Sequence, residues 1–254
     1  MVENDVGQLA LYLSGDPGVP GTRRFTTTVI HRMGFSPDGS HLLVIAGTFE
    51  LFSLEVSGSG FRRLDAFSGP RRGVDDFRVT PDGTRVVFRG SASGSRELYV
   101  VPIDGSAPPE QMSLGTEHTE IWNFEVAPDS NQVVFQADLP NFQKGLFRLR
   151  LDGVGGTVPL HQPGTISFFA SDMHITDDSR HVIYRHNRQS PQRYELYATR
   201  LDGSGTPIKR DVFAGAGEVL NVLPVVGGRW ILYRAERVAG KAEIFAVPIQ
   251  SGEA

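Results

Sequence analysis

Five polar residues recur at one position of a repeating pattern: Arg32, Asp76, Asn123, Asp172 and Asn221. Each precedes an apolar residue, respectively Met33, Phe77, Phe124, Met173 and Val222. Carboxylate and amide oxygens gathered from successive repeats would suit a hard cation such as Ca2+, which prefers oxygen ligands. Asp76, Asn123, Asp172 and Asn221 are therefore the candidate ligands, with Ca2+ in a central channel as the candidate cofactor. A channel filled with water gives the same polarity without a metal, because buried polar groups bond to ordered water. The sequence leaves both readings open.

A second series, Arg89, Gln136, Arg185 and Arg234, closes another recurring segment just ahead of polar loops. Together with Asp75, Glu120, Trp122 and Glu218 it would build a mixed polar face at the mouth of such a channel. Tryptophan and arginine are enriched at contact hot spots, which makes Trp122 and the arginines candidates for gripping a partner. A core or inter-repeat tryptophan fits Trp122 equally well. His118, flanked by Glu117 and Glu120, has the composition of a metal ligand or a general base, although a solvated loop is the plainer reading.

The motifs of catalysis are otherwise missing. There is no Gly-x-Ser-x-Gly elbow, the nearest segment being Gly34-Phe-Ser-Pro-Asp, and no phosphate-binding or His-Glu-x-x-His motif. Cysteine is absent, which excludes disulfides, thiolate catalysis and zinc–thiolate sites. The formal charge is −4 with both signs scattered, so the clustered basic footprint of a nucleic-acid binder is lacking. No apolar run is long enough to span a membrane, and Met1-Val-Glu-Asn-Asp-Val lacks the basic start of a secretory leader. The balance favours a binding scaffold, with a protein or peptide partner, over an enzyme.

The elements that must position these residues are set by a marker: Phe35-Ser-Pro-Asp-Gly-Ser, Val79-Thr-Pro-Asp-Gly-Thr, Val126-Ala-Pro-Asp-Ser-Asn and Ile175-Thr-Asp-Asp-Ser-Arg. Its aspartates, Asp38, Asp82, Asp129 and Asp178, are 44, 47 and 49 residues apart. A period of that size is the mark of four-stranded propeller blades. An alternating segment precedes each marker, and an apolar run such as Val86-Val-Phe88 or Val182-Ile-Tyr184 follows it. A third strand such as Glu97-Leu-Tyr-Val-Val101 comes next, then an Asp-Gly turn and a short outer strand. The aspartates are expected to bond their own turn backbone.

The pattern predicts an all-β protein, a β-propeller of four-stranded antiparallel blades, five to six in number. One propeller domain would cover residues 1–254, with a partial blade over 1–28 and repeats near 29–70, 71–115, 116–163, 164–212 and 213–254. Leu9–Leu13 and Arg23–Thr27 read as a third and a fourth strand, and the last repeat as three strands. Either the N-terminal strands close the ring or the chain is part of a longer propeller.

Thr80-Pro-Asp-Gly83 through Glu97-Leu-Tyr99 and Asp104-Gly105, with Arg193-Tyr-Glu-Leu-Tyr197 and Asp202-Gly203 as a second copy, resemble the TolB-type WD40-like propeller repeat. The resemblance covers roughly residues 29–249, and the aromatic ahead of the marker survives only as Phe35. It implies a propeller, commonly six-bladed, serving as a periplasmic or cell-surface interaction platform. It also implies an alternative role as the gate beside a hydrolase in prolyl-oligopeptidase-like enzymes. It implies no catalytic residue. The metal reading implies instead a lactonase-like hydrolase dependent on Ca2+.

Overall fold

The structure, a computed structural model, describes residues 9–13, 22–27, 29–57, 60–67, 73–91, 94–112, 120–140, 143–161, 169–187, 193–212, 217–223 and 229–249. Two compact units divide the chain, Met1–Met112 and Ser113–Ala254. No helix long and apolar enough to cross a membrane occurs among the described residues.

In the first unit, β1 (Leu9–Leu13) pairs antiparallel with β2 (Thr22–Thr27). Two four-stranded sheets follow. One runs β3 (Ile30–Phe35), β4 (His41–Ala46), β5 (Glu50–Glu55), β6 (Phe61–Arg63), and the other β7 (Gly73–Val79), β8 (Arg85–Ser91), β9 (Glu97–Pro102), β10 (Glu110–Gln111). The second unit opens with β11 (Glu120–Val126), β12 (Gln132–Leu139), β13 (Gln143–Arg150) and β14 (Val158–His161). Next come β15 (Phe169–Ile175), β16 (His181–His186), β17 (Glu195–Arg200) and β18 (Ile208–Lys209). A three-stranded sheet ends the unit: β19 (Glu218–Val222), β20 (Trp230–Val238) and β21 (Lys241–Pro248). Each sheet is a meander in which sequence neighbours are hydrogen-bonded neighbours.

The marker is a turn device. Asp38 accepts from the Ser36 hydroxyl at 2.6 Å and the Ser40 amide at 3.1 Å. The His41 amide donates back to Ser36 Oγ at 2.9 Å, closing the strand end. Thr80 and Asp82 repeat the arrangement, as do Thr176 and Asp178. The residue after each aspartate has positive φ: 72° at Gly39, 73° at Gly83, 59° at Ser130 and 55° at Ser179. Glycine adopts that conformation freely, and the two serines do so at a cost.

Within each unit the core lies between consecutive sheets. Second strands are apolar on both faces because both are covered, as at Val86, Val87 and Phe88. Aromatic pairs in direct register tie second to third strands: Phe88–Tyr99 at 5.3 Å, Phe135–Phe147 at 5.5 Å, Tyr184–Tyr197 at 6.0 Å and Tyr233–Phe245 at 5.4 Å. Burying each such ring stabilises by roughly 1.5–3 kcal/mol relative to exposing it.

The first strand of each of the five larger sheets is interrupted by a bulge. A single extra residue stands at His31, Asp75, Trp122 and Leu220, and the bulge of β15 falls within 170–172. A bulge bends the strand and re-aims the neighbouring side chains.

Candidate functional site

Because each bulge is in phase with the repeat, it brings the two polar series of the sequence side by side. Asp76 faces Arg89, Asn123 faces Gln136, and Asn221 faces Arg234 across the first and second strands. Asp172 reaches Arg185 through an ion pair at 2.7 Å. Only β3 departs, with Arg32 facing Ile45.

In the first unit these residues form an arginine–aspartate cluster. Asp76 binds Arg32 at 2.6 Å and Arg78 at 2.8 Å, and Arg32 also lies over the Phe77 ring at 5.4 Å. The bulge residue Asp75 binds Arg89 at 2.7 Å and Arg96 at 2.6 Å. His31, the bulge residue of β3, stacks on Phe49 at 3.9 Å and bonds the Gly47 carbonyl through Nε2 at 3.1 Å. Phe49 holds φ at 74°, an uncommon value for a bulky side chain. Its carbonyl accepts the Val74 amide at 2.8 Å, which links the two sheets.

In the second unit Trp122 is the bulge residue and is 46% exposed, so it fills no core. Lys144 lies over its ring at 4.8 Å and is anchored to Asp138 at 2.6 Å, while half-buried Glu120 pairs in register with Asp138. Arg185 holds both oxygens of Asp172, at 2.7 and 2.8 Å, and donates from Nη1 to the Val219 carbonyl at 2.9 Å. The Val222 amide donates to Asp172 at 3.0 Å, and Arg185 also covers Tyr194 at 4.9 Å. This pair therefore staples β15 and β16 to β19. Asn123 and Asn221 are half-buried, Gln136 is buried, and Arg234 is exposed. His118 lies outside the described residues.

The chemistry of this end of the sheets is charge-paired and aromatic. Of the candidate calcium ligands, Asp76 and Asp172 both spend their carboxylates on guanidinium groups, which a cation would have to displace. No group of three or more His, Asp or Glu side chains is placed to hold a metal among the described residues. Sequence reasoning missed the bulge itself, although its signal was present. Ile30 and Met33, Val74 and Phe77, Ile121 and Phe124, and Val219 and Val222 are apolar at a spacing of three, where a regular strand requires two.

Solved structures with the same arrangement of sheets are β-propellers. A protein of Agrobacterium tumefaciens assigned as TolB matches with a TM-score of 0.56 at 16% identity, over 89% of this chain and 85% of its own. The tricorn protease matches with a TM-score of 0.64 at 13% identity, over 100% of this chain and 23% of the protease. A puromycin hydrolase matches with a TM-score of 0.59 at 18% identity, over 83% of this chain and 36% of the hydrolase.

The fold is a β-propeller.

The TolB-like fold and the propeller repeats of the sequence are thus borne out, and the chain covers part of longer propeller proteins. No family model matches the chain. A curated relative, an uncharacterized protein of Agrobacterium fabrum, is 29% identical over 108 residues, and the chain spans 35% of its length. At these identities the likeness concerns the propeller fold alone.

Proposed function

We propose that this propeller is a non-enzymatic scaffold that binds a protein or peptide partner at the bulged end of its blades. The observation that carries the reading is Trp122. A strand bulge holds it out to solvent, Lys144 backs its ring, and Glu120 and Asp138 flank it. A rigid aromatic with charged neighbours is the usual composition of a contact hot spot. In the same unit, the Asp172–Arg185 ion pair supplies fixed polar groups at the bulged end of the next sheet. The test is selection of binders from a displayed peptide library on the whole chain, followed by titration against Trp122→Ala and Lys144→Glu. Selected peptides should lose about tenfold or more in affinity, the scale of a hot-spot truncation. Peptides that bind the variants unchanged would refute the reading.

A second reading is that the propeller gates a hydrolase. It is supported by the fold likeness to the tricorn protease and the puromycin hydrolase, each matched over part of its length. A nucleophile elbow in coding sequence adjoining this chain would favour it. The metal-dependent hydrolase reading has less support, because Asp76 and Asp172 are engaged by arginines.

A further inference from the structure

The turn that joins β4 to β5 carries a residue its backbone does not favour. Gly47, Thr48 and Phe49 close the hairpin between the paired residues Ala46 and Glu50, and Phe49 ends it at a φ of 74°. The left-handed place in a short hairpin loop is ordinarily filled by glycine. Gly240 fills it between β20 and β21, at 78°. Among the described residues, the non-glycine positions with positive φ are Phe49, Ser130 and Ser179, and both serines belong to marker turns.

Burial does not explain the exception, since Phe49 is 46% exposed. The next sheet nevertheless makes room for it. A Cβ on Gly73, the first residue of β7, would fall 2.6 Å from the Phe49 Cβ and 3.1 Å from its carbonyl oxygen, so only glycine fits against the turn. On the other side the His31 imidazole stacks on the phenyl ring within 10° of parallel, and Nε2 donates to the Gly47 carbonyl of the same turn. A strained residue, a glycine opposite and a stacked histidine together hold one aromatic ring out at the surface. Strain of this kind collects at functional positions.

The ring stands among guanidinium groups. Arg32 directly follows His31, and its side chain is 44% exposed. The Val74 amide bonds the Phe49 carbonyl, and the next residue, Asp75, carries Arg89 and Arg96, the latter 42% exposed. Asp76 carries Arg32 and Arg78. Four arginines thus share two aspartates at this end of the sheets. Glu50, the carboxylate next to Phe49 in sequence, is paired with Arg63 at 3.4 Å. A guanidinium presents several N–H donors in a fork that matches a carboxylate, so one pair leaves Arg32 able to take another.

We propose that the Phe49–His31 stack and Arg32 form a docking site for an acidic peptide segment bearing an aromatic residue, its ring laid on the stack and its carboxylates on Arg32 and Arg96. A fixed aromatic beside arginines is the composition enriched at protein contacts. The site lies wholly in the first unit and does not depend on Trp122.

The experiment titrates the whole chain by calorimetry with the peptide acetyl-Glu-Glu-Trp-Glu-Glu-amide. Binding should saturate below about 1 mM. Replacing the peptide's tryptophan by alanine, or its glutamates by lysines, should weaken it about tenfold or more, and so should Phe49→Gly or Arg32→Gln in the protein. Trp122→Ala should leave it unchanged. Phe49→Gly should melt no lower than the parent, because glycine adopts positive φ without strain. Phe49→Asn, the next most tolerant residue at such a φ, is the second variant. The proposal is overturned by no saturation, by equal binding to the folded Phe49 variants, or by equal binding of the lysine peptide. A fall of more than about 4 °C in the melting temperature of both Phe49 variants would also overturn it, by giving the ring to the fold. So would a short oligothymidylate that binds more tightly than the peptide and is lost on the same substitutions, since the site would then read nucleic acid. A library peptide indifferent to Trp122→Ala but lost on Phe49→Gly would refute the reading of Trp122 and support this one.

Discussion

Arg185→Ala should be among the most damaging single changes at the bulged end of the second unit. Its single Nε–H is shared between the two oxygens of Asp172, at 2.7 and 2.8 Å, and Nη1 donates to the Val219 carbonyl at 2.9 Å. The pair is mostly withdrawn from water, with 14% of the Arg185 side chain and 20% of the Asp172 side chain exposed. Each of the two donors contributes about 1 kcal/mol net, and a carboxylate left without its counter-charge in such a site adds a desolvation cost. The Val222 amide still bonds Asp172, which offsets part of that cost. The expected loss is about 3 kcal/mol, or roughly 6–12 °C in melting temperature at this chain length. The informative control is Asp172→Leu with Arg185→Met, which removes both charges together and should recover at least half of the loss, since apolar groups of similar volume often replace a buried pair at little cost. Urea unfolding followed by tryptophan fluorescence reads the second unit directly, because Trp122 and Trp230 both lie in it. A single variant less than about 1 kcal/mol below the parent would show that the pair is solvated and contributes little. A double variant worse than Arg185→Ala would show that packing, rather than charge pairing, carries the seam.

Other outcomes follow from the turns and seams. Gly83→Ala should cost about 1 kcal/mol and Gly83→Asn less, because φ is 73° there and an added Cβ meets nothing closer than 3.9 Å, so the penalty is purely conformational. Equal urea midpoints for parent and Ala variant would contradict that. Gly90→Ala should cost about 2 kcal/mol or more, since its Cβ would fall 2.9 Å from the Gly73 carbonyl and 2.5 Å from Phe67; an unchanged melt would mean that the seam yields easily. Acid should destabilise the protein in two stages. Burial holds the His181 imidazole below its usual range, so the stabilising effect of its neutral form is present above about pH 6.5 and declines as pH falls. The Ser36 hydroxyl, then the Ser40 amide and hydroxyl, hold Asp38 at about 2, and Arg150 and Arg200 depress Asp152 and Asp202. Their contribution is complete above about pH 4 and is lost as pH falls further. Melting temperatures from pH 8 to pH 2 check this, and His181→Gln should abolish the upper stage alone. A melt unchanged by Ca2+ against chelator is expected if Asp76 and Asp172 remain with their arginines; an upward shift would restore the metal reading.

Much of the fold was legible because its causes are local. The Ser/Thr–Asp–Gly marker encodes a turn through its own hydrogen bonds, and apolar runs such as Val86–Phe88 encode a strand covered on both faces. Leu9–Leu13 and the residues near Arg23–Thr27 were recognisable as a strand pair for the same reason. The short outer strands were less so. β10 and β18 are two residues each among the described residues, and an edge strand with one neighbour has little pattern to hold it. At the site, the sequence pattern singled out Asp76, Asp172, Arg89 and Arg185, but not that the two series meet. That meeting depends on an extra residue in the first strand, and reading Val74–Val79 as strict alternation hides it. Nor could the sequence tell whether Trp122 faced core or solvent, because only the bulge decides which way it points.

The bulge also separates two jobs that a strand residue normally does at once. A residue in register must suit its partner across the ladder, so changing it disturbs the sheet. His31, Asp75, Trp122 and Leu220 stand outside that register, and they are four chemically unlike side chains at one geometrically equivalent place. The ladder can therefore hold its register while these positions change, each of the four sheets carrying one interchangeable letter. A redesign that rewrote only those letters would leave the ladders paired and cost the local contacts of each side chain, such as the Asp75 pairs with Arg89 and Arg96.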